Sequence, residues 1–109
     1  DDATLILDAF HNWNSGSTLE DLREIPLDKI SHYHIDDACH GKEPGTQTDP
    51  DRVMIGDGQI DLAAEIEVLR EIGYNGTVSL ELFNSEWWQK DPSETLKIGL
   101  ERMKELFEQ

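Results

Sequence analysis

Cysteine is almost missing: Cys39 is the one thiol in 109 residues. That excludes an internal disulfide and leaves too few thiolates for a Cys-rich zinc site. Basic residues are scarce as well. Nine Lys and Arg stand against 24 Asp and Glu, for a net charge of −15, and such a surface repels nucleic-acid phosphates and anionic membranes. Apolar runs are short, far below the roughly 20 residues of a membrane-spanning helix, and no basic stretch followed by an apolar one marks a secretion signal. Nucleic acid and membrane are therefore not expected as partners, and a cytoplasmic location is. The length allows one small domain over residues 1–109, with one modest core.

What is present alternates. Thr4–Asp8, Lys29–Ile35 and Thr77–Phe83 are short, apolar and rich in β-formers. Between and after them lie helix signals. Thr18 with Asp21 three residues on makes a capping box for a short helix ending before Pro26. Asp61 caps a helix over 62–72 with Leu62, Ile66 and Leu69 on one face and Gly73 as its stop. Asp91–Pro92 opens the last helix, whose apolar stripe reads Leu96, Leu100, Met103 and Phe107. This alternation predicts an α/β fold of parallel strands with right-handed crossovers. The segment from Ala38 to Ile60, rich in Gly, Pro, Asp and Thr, has no clear period, and a loop of that length after a strand is more often functional than idle.

The stretch "SHYHIDDACH" at 31–40 holds three of the four histidines, two aspartates and the cysteine. Strand side chains alternate faces, which separates ligands from bystanders. Leu5 and Leu7 share a face opposite Thr4, Ile6 and Asp8; Val78, Leu80 and Leu82 lie opposite Thr77, Ser79 and Glu81; Tyr33 and Ile35 fall with Ser31, opposite Ile30, His32, His34 and Asp36. One face of each strand suits packing under helices, and the other is polar and ends in an ionisable group. A parallel sheet covered on both sides is apolar on both faces, so the pattern points instead to the inner wall of a barrel with chemistry at its C-terminal rim. Asp8, His34 and Glu81 converge there. Two carboxylates and an imidazole suit Mn²⁺, Mg²⁺, Co²⁺ or Zn²⁺, while the bland reading is three separately satisfied polar residues at strand ends.

At these residues the sequence resembles the xylose isomerase-like (β/α)8 TIM-barrel superfamily of sugar-phosphate isomerases and epimerases, inosose dehydratase and ketose 3-epimerases. "LILDAFH" is similar to its strand ending in Asp-x-x-His, and "HYHIDDA" to its His-x-x-Asp strand end. "DRVMIGDGQIDL" is similar to its Arg-containing loop leading through a Gly-x-Gly turn into a helix, and "VSLELFNSEWWQKDP" to its last strand and the aromatic loop beyond. The resemblance implies the last three βα units of a barrel in which four residues hold one divalent metal. Asp8, His34 and Glu81 match the second to fourth ligands, and the first, a glutamate on the preceding strand, has no counterpart because the chain begins too late. It also implies a metal-dependent isomerase or epimerase acting on a sugar or sugar phosphate. There the metal polarises a carbonyl while two carboxylates, Glu81 being one, exchange a proton through an enediolate. His11 and Arg52 match positions that hold substrate oxygens or phosphate; a surface salt bridge for Arg52 and a plain rim role for His11 are the alternatives. Phe83, Trp87 and Trp88 either wall a sugar pocket or pack against a neighbouring loop or subunit.

Other readings remain beside this one. The apurinic endonuclease branch of the superfamily adds a histidine in an Asp-Arg-His loop, where this chain has Asp51-Arg52-Val53. Valine cannot ligate zinc. A dehydratase of a cyclic polyol or keto acid would use the same metal and carboxylates. Three parallel strands cannot close a barrel, so the isolated chain should self-associate, pair with the missing barrel part, or be inactive for want of the fourth ligand.

Overall fold

The computed structural model describes residues 2–108. In chain order the elements are β1 (Leu5–Asp8), α1 (Ala9–Asn14), α2 (Leu19–Arg23), β2 (Ile30–Ile35), β3 (Asp37–Ala38), β4 (Arg52–Val53), α3 (Leu62–Glu71), β5 (Val78–Leu80), α4 (Ser85–Trp88) and α5 (Pro92–Phe107). β1, β2 and β5 lie side by side in that order, all parallel, and β3 pairs antiparallel with β4. The fold is α/β, three βα units in succession, as the alternation of elements predicts.

The expected helix ends are in place. Thr18 and Asp21 bond reciprocally, with Asp21 N donating to Thr18 Oγ1 at 3.1 Å and Thr18 N to Asp21 Oδ2 at 2.8 Å. Asp61 accepts from Ala64 N at 3.1 Å and Asp91 from Ser93 N at 3.0 Å, so both longer helices start where their caps say. Gly73, with φ +85°, follows the end of α3 in the left-handed region that favours glycine.

Four expectations change. The third strand stops at Leu80 instead of Phe83, although Glu81 N still donates to Ile35 O at 3.1 Å and keeps the alternation for one more residue. Two short helices, α1 and α4, occupy stretches without helical periodicity; side-chain caps at Asp8 and Asn84 start them. The segment 38–60 is no bare loop, since it carries the second strand of the β3–β4 pair and a 3-10 turn over Asp49–Asp51.

The fourth concerns the faces. Leu5 pairs with Ile30 but Ile6 pairs with His32, so Ser31 is an extra residue in β2, a bulge whose Oγ donates to Leu5 O at 3.0 Å. Beyond it, Tyr33 and Ile35 are fully buried under the helices as expected; before it the parity reverses, and Ile30 packs into the core while Ser31 is exposed. On α5 the apolar stripe divides. Met103 and Phe107 pack against the core with Ile98 and Leu106, whereas Leu96 and Leu100 are 73% and 53% exposed. Gly99 sets that rotation: a Cβ there would stand 2.6 Å from Leu80 Cδ2, so this face of α5 lies directly on β5.

The core sits between the sheet and the helices, built from Leu7, Tyr33, Ile35, Ile55, Ile66 and Leu69 among others. Each fully buried aliphatic side chain there stabilises by roughly 1.5–3 kcal/mol. The opposite face of the sheet carries His32, His34 and Ser79, and that face holds the site.

Candidate active site

Asp8 closes β1 and starts α1 in one residue. Its Oδ1 accepts from His11 N at 3.0 Å, which leaves Oδ2 turned to His34 Nδ1 at 3.6 Å. On the other side of the same ring, His34 Nε2 is 3.9 Å from Glu81 Oε1. Neither separation is a hydrogen bond. The imidazole therefore stands between two carboxylates from the two neighbouring strands without being claimed by either. His32, two residues back on the same face, meets His34 edge-on at 5.1 Å and shares a 2.8 Å hydrogen bond between its Nε2 and Ser79 Oγ.

Arg52 reaches this group from β4. It is 3% exposed, so its ion pairs are made from a buried guanidinium, although one partner, Asp49, is itself exposed. Nη2 lies 2.9 Å from His11 Nε2 and 3.0 Å from Asp49 Oδ1; Nη1 lies 3.4 Å from Asp36 Oδ2 and 4.0 Å from Glu81 Oε2. Guanidinium always donates, so His11 Nε2 accepts. The guanidinium carbon sits 5.0 Å from the ring centres of both Phe10 and Phe83. The structure thus brings together all five residues singled out by sequence: Asp8, His11, His34, Arg52 and Glu81.

Two acids join them that the motif reading left unassigned. Asp49 bonds Arg52 and lies 3.7 Å from His11 Nε2. Asp36 is fully buried and accepts from Phe10 N at 2.6 Å, while its Oδ2 has no hydrogen-bond partner. Burial above all, then the adjacent Asp8 charge, pushes the Asp36 carboxyl well above the usual carboxylate range; the Phe10 N–H and Arg52 pull the other way and lose. The 3.4 Å approach to Arg52 reads as an ion pair, but at that length it does not offset the burial and the Asp8 charge, which favour the neutral form of Asp36. Strand parity already placed Asp36 on the His34 face, so its signal was readable in the sequence.

Asp37 holds the surrounding loop and no ligand role remains for it. Its Oδ1 accepts from Ala38 N and Ile60 N at 2.9 and 3.1 Å, and its Oδ2 from Gly56 N and Gly58 N at 3.0 and 3.1 Å. Four backbone donors on one buried carboxylate close the 38–60 segment over its own ends, so β4, and Arg52 with it, returns beside β3. Gln47 and Gln59 both donate from Nε2 to the carbonyls of Cys39 and Lys42, and Cys39 and His40 belong to that loop. The aromatics separate: Phe83 lies on Arg52 with Trp88 against its edge at 6.1 Å, while Trp87 packs on the core with Lys90 Nζ 4.0 Å from its ring.

Asp36, Asp49 and Glu81 stand around Arg52, and Asp8 stands across His34 from Glu81; with Asp36 neutral, three acids still face one guanidinium, an excess that suits a cation. Carboxylate oxygens with one imidazole nitrogen form a donor set that fits Mn²⁺, Mg²⁺, Co²⁺ or Zn²⁺ in type. Among the described residues, however, no group of three or more His, Cys, Asp or Glu side chains closes on a point as a finished metal cage. Asp8, His34 and Glu81 fit as contributors to a larger ligand set.

The sequence pattern of the family described as "Xylose isomerase-like TIM barrel" matches residues 1–106. An inosose isomerase of Bacillus velezensis is 43% identical over 101 residues, covering 93% of this chain and 36% of that protein. A 3-dehydroshikimate dehydratase of Pseudomonas putida is 29% identical over 106 residues, 96% of this chain and 17% of that protein. Among solved structures, an "IOLI protein with a binding zinc atom" superposes with a TM-score of 0.89 at 38% identity, over 95% of this chain and 37% of that one. The chain thus spans about a third of the length of the isomerase relative and of the zinc-bound structure it matches. Its three βα units are part of a barrel.

Proposed function

The chain belongs to the xylose isomerase-like TIM-barrel family, and from that premise we propose that it is part of a metal-dependent isomerase or epimerase acting on an uncharged polyhydroxy ketone, a sugar or an inosose. The observation that carries this reading is the placement of His34 between Asp8 and Glu81, with Arg52 and His11 alongside. A divalent metal held by Asp8, His34 and Glu81 would supply Lewis-acid polarisation of the substrate carbonyl. The zinc named for the similar solved structure supports a metal of this kind.

The chain's own residues do the rest. Glu81 takes or returns the proton on the carbon beside the carbonyl, and a second carboxylate across the substrate completes the exchange. Arg52, fixed between two rings, and His11 orient substrate hydroxyls. Arg52 already donates to Asp49 and His11, and Asp36 and Glu81 lie 3.4 and 4.0 Å from its Nη1. A phosphate arriving there would compete with those carboxylates, so a neutral polyol fits better than a sugar phosphate. The dehydratase relative supports a second outcome at the same residues, loss of a hydroxyl after proton abstraction.

β1 and β5 are edge strands, and Leu5, Ile6, Leu96 and Leu100 are exposed beside them. The remaining barrel units, or failing those a second copy, would cover these surfaces and bring further ligands. Calorimetric titration with Mn²⁺ tests the site. Binding in the micromolar range that Glu81→Gln abolishes is expected; absence of binding by the complete protein would reduce this chain to a structural segment.

A further inference from the structure

On the helix side of the sheet, α1, α2 and the start of α3 enclose a cavity of about 210 Å³ that shares no residue with Asp8, His11, His34, Arg52 or Glu81. Trp13, Leu22 and Ile60 give it apolar walls. Glu65 lines it from α3, 6% exposed, and its Oε1 is buried without a hydrogen-bond partner. The exposed Asp21 and Asp61 add negative charge at its rim, and none of the lining residues is Lys, Arg or His.

A buried carboxylate with a bare oxygen is costly unless something neutralises it. Here Tyr33 and Asn12 favour the charged form of Glu65 but burial outweighs them and holds its carboxyl above the usual range. Tyr33 Oη likewise lacks a partner of good hydrogen-bond geometry. Oε1 itself is shielded even from water, so an ammonium group in the cavity would act on the carboxylate through its charge, and it would add the acids at the rim and the Trp13 ring as further attractions. The volume is below the 300–1,000 Å³ typical of drug-sized sites, so it takes a body of about one ring.

We propose that this cavity is a second binding site, for a small amphipathic cation: a primary ammonium group on a compact aromatic or alkyl body. The ammonium lies on Glu65 and the body lies against Trp13 and Leu22. This proposal is independent of the chemistry at Glu81.

Benzylamine and its neutral analogue benzyl alcohol, titrated into the complete protein and followed by the Trp13 indole resonance, test it. Saturable binding of benzylamine, about tenfold or more tighter than of the alcohol, is expected. Glu65→Gln should erase that ratio. Leu19→Trp, which fills the cavity from a surface position, should abolish binding of both probes without changing the thermal midpoint or Mn²⁺ titration. Equal affinities, a preference that survives Glu65→Gln, binding that survives Leu19→Trp, or no saturation by about 10 mM would overturn the proposal. If Glu65→Gln does not fold, the comparison of the two probes and the Leu19→Trp variant decide alone.

Discussion

Neighbouring residues of the histidine-rich stretch do opposite work. The Asp37 carboxylate is fully buried and accepts four backbone hydrogen bonds, whereas the His34 side chain makes none. Stability should follow that difference. Asp37→Ala strands four donors and is expected to cost about 3 kcal/mol or more, read as a fall in the urea midpoint; His34→Ala should cost about 1 kcal/mol or less and instead abolish Mn²⁺ binding. If both variants unfold at the same urea concentration, the division of roles is wrong. Glu65 carries part of the pH dependence, beside Asp36. Its folded carboxyl titrates above the unfolded one, so its neutral form contributes stability that is complete below about pH 4.3 and is lost as pH rises through the folded value. Glu65→Gln removes this loss. The melting temperature of the variant should therefore gain on wild type as pH rises above about 4.3, and a gap that ignores pH would contradict the buried-acid reading.

Among the elements, the long helices and the parallel strands were legible because their signals are local. Thr18, Asp61 and Asp91 cap where their side chains say, and Leu62, Ile66 and Leu69 face the core at helical spacing. The candidate site was legible through parity, which placed Asp8, His34 and Glu81 on one face. What escaped depends on partners far along the chain. The bulge at Ser31 exists only against β1, the rotation of α5 is set by Gly99 meeting Leu80, and Arg52 reaches Glu81 only because Asp37 draws residues 56–60 back across β3. No period in residues 38–60 could report that. Gly58 makes the closure possible, since a Cβ there would collide with the Ala38 carbonyl and the Asp37 carboxylate. Gly58→Ala is expected to destabilise by about 2–3 kcal/mol and to weaken Mn²⁺ affinity as well; a variant with an unchanged urea midpoint would show that the loop has another anchor.

For the whole molecule, three parallel strands leave two open edges, and a net charge of −15 opposes but does not cover them. Ile6 on β1 is 63% exposed and Leu100 on α5 is 53% exposed. As a separate polypeptide the chain is expected to sediment above the monomer mass, and Ile6→Lys with Leu100→Glu should return it to monomer; a monomeric wild-type chain at about 100 µM would remove these surfaces from consideration. The extra residue at Ser31 bears on the molecule in another way. It lies upstream of every β2 residue that faces the site, so it acts as a slip joint. A one-residue change in the length of the chain between α2 and β2 can be taken up there. His34 would keep its place between the two acids while the connection before it varies.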